Sequence, residues 1–473
     1  MINFFPKYIA NRAIMVYIAA LFAVTVLFMR HAMSWYWFVF GLVAVLCFFH
    51  FSNVLTKKWG NYSQKLFTRK LFTTALIIRV VYVIFSYWFY TFMTGQPLEF
   101  YAADSAAYHR VGMFMARALS YGNWGVFAEI MDDVGPSDTG FFSYLGVMYW
   151  IFGDSILIFR LIRTLLGAYM CVLVYKLAVR NFGETTGRMA AIFCMLMPNL
   201  IYYCGLHLKE LEMVFLAVAF VERADYAMRS PKFTVGNMIL PILLAGSLFF
   251  FRTVLGAAAL FAFFVAVFLT SQRVMKMNKR IVLGILIIVT VGYFMGGRIA
   301  MEVEGFWADR DINQANSMEW RAQREGGNVF AEYAGAAIFA PLIFTIPFPA
   351  MHEVPLLHKN QRMIHGGNFV KNITSFFTIL AIFLLFFKSK TWKNHILILT
   401  FTGAYLGIIA LSAFAHSERF HLPALPFALI LAAYGISQMT NKRYKMWFNW
   451  WSIFIFVACV GWNFFKLLGR GLV

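Results

Sequence analysis

The stretch EFYAADSAAYHR, residues 99–110, holds the first carboxylates of the chain. No Asp or Glu occurs in the first 98 residues, and Glu99 and Asp104 then appear together beside Tyr108, His109 and Arg110. A carboxylate among apolar and aromatic groups is partly desolvated, which raises its pKa and suits it to accept a proton. Asp104 is therefore a candidate general base, with Glu99 as the alternative.

Asp104 also has a purely structural interpretation. An Asp directly before SAAYHRVGMFMARAL is a normal helix N-cap, because its carboxylate accepts backbone N–H groups that the first turn leaves unpaired. Tyr108 would then lie one turn further on the same face, and His109 and Arg110 could bind an anionic group or tune the acid. Capping and catalysis are compatible, so both roles stay open.

A second polar segment, YYCGLHLKELEM at 202–213, joins two apolar runs with almost no loop. Its charges could simply reach outward from a tight hairpin. Ionisable groups at a membrane-embedded turn are costly, however, and are typical of functional sites. His207, Lys209 and Glu210 are therefore candidates: the lysine for a phosphate, the glutamate to orient it or to hydrogen-bond a sugar.

Two later segments add cations between apolar runs. FFFRTVLG, at 249–256, contains Arg252, which is either a turn residue or a bidentate phosphate ligand. AFAHSERFHLPALPF, at 413–427, crowds His416, Glu418 and Arg419 into one short turn. We expect these residues to bind substrate, with Arg419 as a further phosphate ligand.

The sequence gives only weak indications of a metal-binding site. Asp309 and Asp311 form a D-x-D, but no nucleotide-binding domain accompanies them, and His352, His358 and His365 are irregularly spaced in a polar loop. We assign no metal ligand; a divalent cation stays open as a cofactor. The five cysteines lack the spacing of metal ligands and are expected to be small core residues.

The composition is that of a membrane protein. Hydrophobic residues make up 61% of the 473-residue chain and charged residues 13%, about half the share found in soluble domains. Long apolar runs in a bilayer form helices, since each backbone group must be paired within its own segment. The net charge of +20 fits basic cytoplasmic loops and anionic lipid better than nucleic acid.

The apolar runs predict an all-α polytopic protein with about 13 spans, within a range of about 11 to 14. The basic loops fall on one side, which the positive-inside rule makes cytoplasmic. Of the 21 acids, 14 lie in residues 99–154 and 302–332, on the other side. Residues 140–153 and 333–349 are expected to be juxtamembrane or re-entrant helices at that outer face. The predicted spans are 13–29, 34–51, 71–94, 156–178, 188–205, 208–226, 237–252, 254–270, 281–297, 371–387, 394–413, 421–438 and 447–466.

The layout divides the chain into three parts. Residues 1–70 form an N-terminal helical pair and a basic cytoplasmic loop, and residues 441–473 form a C-terminal span. Between them, residues 71–440 form the predicted catalytic body, with outer loops at 95–155 and 298–370. A P-loop and a dinucleotide-binding glycine motif are both missing from the sequence.

This arrangement resembles the GT-C superfamily of integral-membrane glycosyltransferases, particularly bacterial relatives of the protein O-mannosyltransferase and lipid A aminoarabinose transferase group. The resemblance rests on the acid in the first outer loop, on FGDSILIFRLIRTLLGAYMCVLVYKLAVRNFG and RMAAIFCMLMPNLIYYCGLHLKE, on an R-T hairpin and on ERFHLPALPF. It covers most of residues 71–440 and is largely topological. Many relatives have a D-E or D-D pair where this chain has Asp104 and Ser105.

The resemblance implies transfer of a sugar from a polyprenyl-phosphate carrier to an acceptor at the outer, periplasmic face of the inner membrane, with inversion, in cell-envelope assembly. Asp104 would activate the acceptor hydroxyl, and Lys209, Arg252 and Arg419 would stabilise the leaving phosphate. The acceptor could be a glycan, a lipid or a protein. Alternatives are a polysaccharide polymerase or an O-antigen-type ligase and, from another class, a transporter or lipid flippase.

Overall fold

The computed structural model is helical throughout the part of the chain that it describes, which is every residue except 1, 231–233, 272–274, 296, 324–326, 334–335, 355–358 and 413. Helix accounts for 82% of the chain, and the described residues contain no strand. The all-α expectation is confirmed. The α-helices are α1 Lys7–Leu27, α2 Trp35–Lys58, α3 Gln64–Thr94, α4 Ala103–Ser120, α5 Val126–Val134, α6 Pro136–Phe152, α7 Ile156–Phe182, α8 Glu184–Leu196, α9 Pro198–Tyr202, α10 Glu210–Arg229, α11 Val235–Phe251, α12 Thr253–Leu269, α13 Met277–Met295, α14 Arg298–Ala308, α15 Arg310–Gln323, α16 Ala336–Leu342, α17 Lys359–Phe383, α18 Ile396–Ala410, α19 Glu418–His421, α20 Leu425–Ser437 and α21 Lys442–Leu468.

Seven helices among the described residues are long and apolar enough to cross a membrane. They include α1, α2, α3, α7 and α21, while α17 continues into a π-helical turn to Lys388 and α19 runs with α20 as one segment. Shorter apolar helices lie at Ile239–Phe251, Thr253–Leu269 and Ile396–Ala410. The protein is therefore consistent with a membrane-embedded helical body, and the finer count of about 13 spans stays a prediction.

Two predicted spans differ from the helices that form. The span at 188–205 is divided into α8 and α9, because Pro198 cannot continue the hydrogen-bond ladder of the preceding helix. The span at 208–226 becomes α10, whose acids are paired rather than exposed to lipid. Arg180 of α7 lies 2.8 Å from both the Glu222 and Asp225 carboxylates.

Close helix packing orients the segment that contains Asp104. Helix α4 packs on α6 at two glycines. A Cβ on Gly112 would lie 2.7 Å from Leu145 Cγ, and a Cβ on Gly146 would lie 2.6 Å from Met115 Cβ. Small residues allow this approach of two backbones. The N-terminal helical pair packs on both other parts of the chain, since α1 contacts α21 and α2 contacts α17.

A buried ion pair fixes α7 against the start of α10. Arg163 Nη2 donates to Glu212 Oε2 at 2.6 Å and to the Leu208 carbonyl at 2.5 Å, while Nη1 donates to the Leu206 carbonyl at 2.9 Å. The Arg163 side chain is fully buried and that of Glu212 nearly so. Loss of one partner of such a pair leaves an uncompensated buried charge. Arg163 therefore holds the 206–209 segment in place.

We expect Arg163→Met to lower the free energy of unfolding by about 3–5 kcal/mol, because Glu212 would stay buried without its partner. The measurement is the thermal unfolding midpoint of the purified protein in detergent. Lys176→Met is the matched control on the same helix. Lys176 is exposed and makes no ion pair among the described residues, so its replacement should not lower the midpoint. Equal destabilisation by both changes would contradict the assignment.

Candidate active site

One guanidinium joins three segments that are far apart in the sequence. Arg419, in the short helix α19, donates from Nη1 to Asp104 Oδ2 at 2.5 Å and from Nε to the carboxylate of Glu210. Asp104 lies in the first turn of α4, and Glu210 is the first residue of α10. Carboxylates are favoured at helix N-termini by the helix dipole. Three residues that the sequence predicts to bind substrate or catalyse are thus brought together.

Asp104 is not the N-cap of α4. The N-cap is Ala102, which makes no side-chain cap hydrogen bond, and Asp104 is the second residue of the helix. The helix begins two residues earlier than the sequence pattern indicates, so the carboxylate projects to Arg419 instead of to backbone N–H groups. Its side chain is 54% exposed, whereas that of Glu210 is fully buried. The exposed carboxylate is the one that a substrate can reach.

Lys209 and Arg252 lie beside this bridge. Lys209 Nζ contacts the Asp138 carboxylate and donates to the Phe251 carbonyl at 2.8 Å. The Arg252 guanidinium lies 4.3 Å from the centre of the Phe420 ring. Phe420 directly follows Arg419 in the sequence. Burial lowers the pKa of Lys209, and the adjacent Asp138 carboxylate opposes that shift. The three cations that the sequence predicts to bind phosphate therefore surround one site.

Asp138 is a functional candidate that the sequence analysis did not single out. Besides contacting Lys209, it lies 3.5 Å from the hydroxyl of Tyr108. Its only signal in the sequence is that it belongs to an acid-rich loop, which does not distinguish it from its neighbours. With Asp138 included, the cluster contains three carboxylates and three cations, so its charge is balanced: Asp104, Asp138, Glu210, Lys209, Arg252 and Arg419. We call these six residues the acid–cation cluster.

Glu99 is a buried residue that contacts Ser105 in the first turn of α4. Ser105 Oγ donates to Glu99 Oε1 at 2.5 Å, and Glu99 Oε2 has no hydrogen-bond partner among the described residues. Arg160 of α7 is near enough to interact electrostatically with Glu99. Burial raises the pKa of Glu99, while Ser105 and Arg160 oppose that shift. Glu99 is thus an anchor for the first turn of α4 rather than a group open to substrate.

Two of the predicted histidines, His109 and His207, are linked through the hydroxyl of Tyr149. The Tyr149 hydroxyl lies 2.8 Å from Nδ1 of His109 and 3.2 Å from Nε2 of His207. Burial lowers the pKa of both histidines, and for His207 the neighbouring arginines add to the effect. Both rings are accordingly neutral at pH 7. Arg110 is exposed on α4, and the described residues show no contact between it and the acid–cation cluster.

Glu418 and His416 face a different space from Arg419. Both line a cavity of about 1000 Å³ between α15, α16, α17 and α21. The Tyr203 hydroxyl lies 3.5 Å from Glu418 Oε1, and the His416 ring contacts Arg321. Because Glu418 and Arg419 are adjacent, the turn at 416–421 separates this cavity from the acid–cation cluster.

The residues considered for metal binding lie apart. His352 Nδ1 lies 2.6 Å from Asn463 Oδ1, and His365 Nε2 lies 2.8 Å from the Tyr17 hydroxyl, while His358 is outside the described residues. Asp309 and Asp311 stand at the junction of α14 and α15. Within the described ranges, no three His, Cys, Asp or Glu side chains are grouped as a metal site requires.

Comparisons with known proteins give no relative: no protein-family model matches the sequence, and a search of curated proteins finds no match. We therefore infer function from the geometry of the site and from the resemblance in its motifs.

The raised pKa of Glu99 predicts a pH-dependent stability. A carboxyl whose pKa is higher in the folded state takes up a proton on folding, so the free energy of unfolding falls as the pH rises through the raised value. We expect Glu99→Gln to remove this loss, so that the variant gains stability relative to the wild type as the pH rises above about 4, the ordinary pKa of a glutamate. The measurement is the unfolding midpoint as a function of pH.

The control for this experiment is Glu129→Gln, which changes an exposed glutamate of α5. Its pH profile should follow that of the wild type. A Glu99→Gln variant whose advantage shrinks as the pH rises would show that Glu99 is ionised at little cost, contrary to the raised pKa.

Proposed function

We propose that the chain is a membrane glycosyltransferase of the GT-C type, which moves a sugar from a polyprenyl-phosphate carrier to an acceptor hydroxyl. The observation that carries this proposal is the bridge from Asp104 through Arg419 to Glu210. The bridge brings one half-exposed carboxylate beside several cations in a chain whose long apolar helices could cross a membrane. The motif resemblance supports the same chemistry.

Asp104 is the proposed general base. Its carboxylate accepts the proton of the acceptor hydroxyl while that oxygen attacks the anomeric carbon of the sugar. The bond from the anomeric carbon to the phosphate oxygen breaks, the lipid phosphate leaves with the electron pair, and the configuration inverts. A positioned base contributes about 10²- to 10⁴-fold to the rate of such a step.

The charge of the acid–cation cluster changes during this step in a way that stabilises the leaving phosphate. At rest, three carboxylates neutralise three cations. Protonation of Asp104 removes one negative charge, so Arg419 is left with Glu210 as its single anionic partner in the bridge. The cluster becomes positive just as negative charge grows on the departing phosphate. Stabilisation that appears only in the transition state is the kind that raises a rate.

The proposed location follows from the same site. The basic loops that the sequence predicts on the cytoplasmic side favour the inner membrane, with the active site facing the periplasm. The donor is a polyprenyl-phosphate sugar that enters from the bilayer. The acceptor, whether glycan, lipid or protein, approaches the exposed side of Asp104.

The experiment compares Asp104→Asn with the wild type in release of sugar from polyprenyl-phosphate sugars. We expect the rate to fall about 100-fold or more, because the amide cannot accept the proton. Asp133→Asn is the matched control, since Asp133 is an exposed aspartate on the outer helix α5. Its rate should equal that of the wild type.

Two results would count against this proposal. Equal turnover by Asp104→Asn and wild type, with matching unfolding midpoints, would remove Asp104 as the base. A wild type that moves the intact lipid-linked sugar across a vesicle membrane without cleaving it would favour a transporter or flippase instead.

A further inference from the structure

A groove lies between the first turns of α3 and the second half of α7. Its volume is about 550 Å³, within the usual range for ligand sites of about 300–1,000 Å³. Side chains spaced by three and four residues share one face of a helix, and each helix contributes such a face to the groove. The lining includes Lys65, Arg69 and Phe72 from α3 and Tyr169, Val172 and Lys176 from α7.

The charge of this groove is positive. Lys65, Arg69 and Lys176 are exposed, and the described residues that line the groove include no acid. None of the three cations belongs to an ion pair within the part of the chain that the structure describes. Glu184 contacts a lining tyrosine but is already paired with Arg188 at 2.7 Å. The three cations repel one another, so an anion in the groove is stabilised.

Two contacts establish how α3 and α7 lie against each other. The ring of Phe67 packs on the ring of Tyr175, with centroids 4.8 Å apart. Three turns later on α3, Arg79 Nη2 lies 3.6 Å from the sulfur of Cys171, which is one turn earlier on α7. The two helices therefore run antiparallel, and the start of α3 is level with the end of α7.

The cations and the apolar side chains of the groove lie at different depths. With a rise of about 1.5 Å per residue, all three cations lie within about one turn of the Phe67–Tyr175 contact. Phe72 and Tyr169 lie about 8 Å further along, both toward the middle of the two helices. The groove is thus basic at its outer end and aromatic at its inner end.

This division matches the layers of a bilayer. Helix α3 has 31 residues and is about 46 Å long, whereas the hydrocarbon core is about 30 Å thick. The basic residues of its first two turns precede an apolar run that begins at Leu71. In a membrane, the cations therefore lie at the level of the headgroups, and the aromatic side chains lie at the edge of the hydrocarbon.

A positive outer end above an apolar inner end selects an anionic phospholipid. Arginine binds a phosphate bidentately, and lysine binds it as a point charge. Acyl chains gain free energy along Phe72, Tyr169 and Val172. A free phosphate leaves the apolar end of the groove unused, and a zwitterionic headgroup brings a fourth cation to the three already present.

We propose that the groove between α3 and α7 binds an anionic phospholipid of the surrounding bilayer, with its phosphate at Lys65, Arg69 and Lys176. The inference goes beyond the proposed function and does not depend on it. The groove is at the start of α3, whereas Asp104 follows the other end of that helix. The bound lipid would neutralise the cations and hold the two helix ends together.

The test titrates phosphatidylglycerol onto the purified full-length protein in detergent and follows the bound lipid by native mass spectrometry. Phosphatidylcholine with the same acyl chains and inorganic phosphate are the other probes. We expect phosphatidylglycerol to bind more tightly than either. Lys65→Gln, Arg69→Gln and Lys176→Gln should each weaken its binding about fivefold, the contribution expected of one cation near an anionic headgroup.

Lys70→Gln is the matched control. Lys70 is exposed and directly follows Arg69 on α3, so its replacement removes the same charge at the same depth, but it does not line the groove. It should bind phosphatidylglycerol as the wild type does. In lipid-free detergent, the groove variants should unfold no lower than the wild type, because each replacement relieves repulsion between cations. Added phosphatidylglycerol should raise the unfolding midpoint of the wild type and of Lys70→Gln more than that of Arg69→Gln.

Three results would overturn this inference. Equal weakening by Lys70→Gln and Arg69→Gln would show that only the overall surface charge attracts the lipid. Equal affinity for phosphatidylcholine and phosphatidylglycerol would remove the anionic headgroup as the recognised feature. Inorganic phosphate that binds as tightly as phosphatidylglycerol would show that the ligand is a free anion and not a lipid.

Discussion

The salt bridge of Arg419 with Asp104 and Glu210 is the interaction on which the rest of the site depends. Glu210 is fully buried, and a buried carboxylate without a cation costs several kcal/mol. Arg419 removes that cost and in doing so fixes the start of α4, the start of α10 and the 416–421 turn relative to one another. Lys209 precedes Glu210, and Glu418 precedes Arg419, so the neighbouring cation and the edge of the cavity are fixed by the same bridge.

The bridge also stands between two different environments. On one side, paired acids and cations hold a half-exposed carboxylate in the acid–cation cluster. On the other side lies a largely apolar cavity between α15, α16, α17 and α21. The proposed glycosyl transfer uses the cluster, whose charge becomes positive when Asp104 is protonated.

The sequence predicted the helical body and most members of the site because these depend on local patterns. Apolar runs indicate helices, and charges without a loop to solvate them indicate a site, which identifies Asp104, Lys209, Glu210 and Arg419. Pairings between distant segments leave no such pattern. Asp138 is one of several acids in an acid-rich segment, and its contact with Lys209 requires α6 to pack beside the 206–209 segment. The predicted N-cap at Asp104 was wrong because the helix begins one residue before it.

The cavity could not be predicted from the sequence for the same reason, since it also depends on the packing of distant segments. Arg321, Glu418 and Lys466 belong to three helices, and only their packing encloses a common space. Span boundaries were also approximate, since a proline inside an apolar run divides a helix without changing its mean hydropathy, as Pro198 does between α8 and α9. Local composition therefore predicts which segments are buried, whereas charge balance between segments is a property of the folded chain.

The most direct measurement is mass spectrometry of the lipid after the purified wild-type protein has been incubated with a polyprenyl-phosphate sugar and an extract of cell-envelope acceptors. The account predicts that free polyprenyl phosphate accumulates in proportion to sugar transferred, with the anomeric configuration inverted in the product. Recovery of the lipid-linked sugar intact, with every donor supplied, would contradict it.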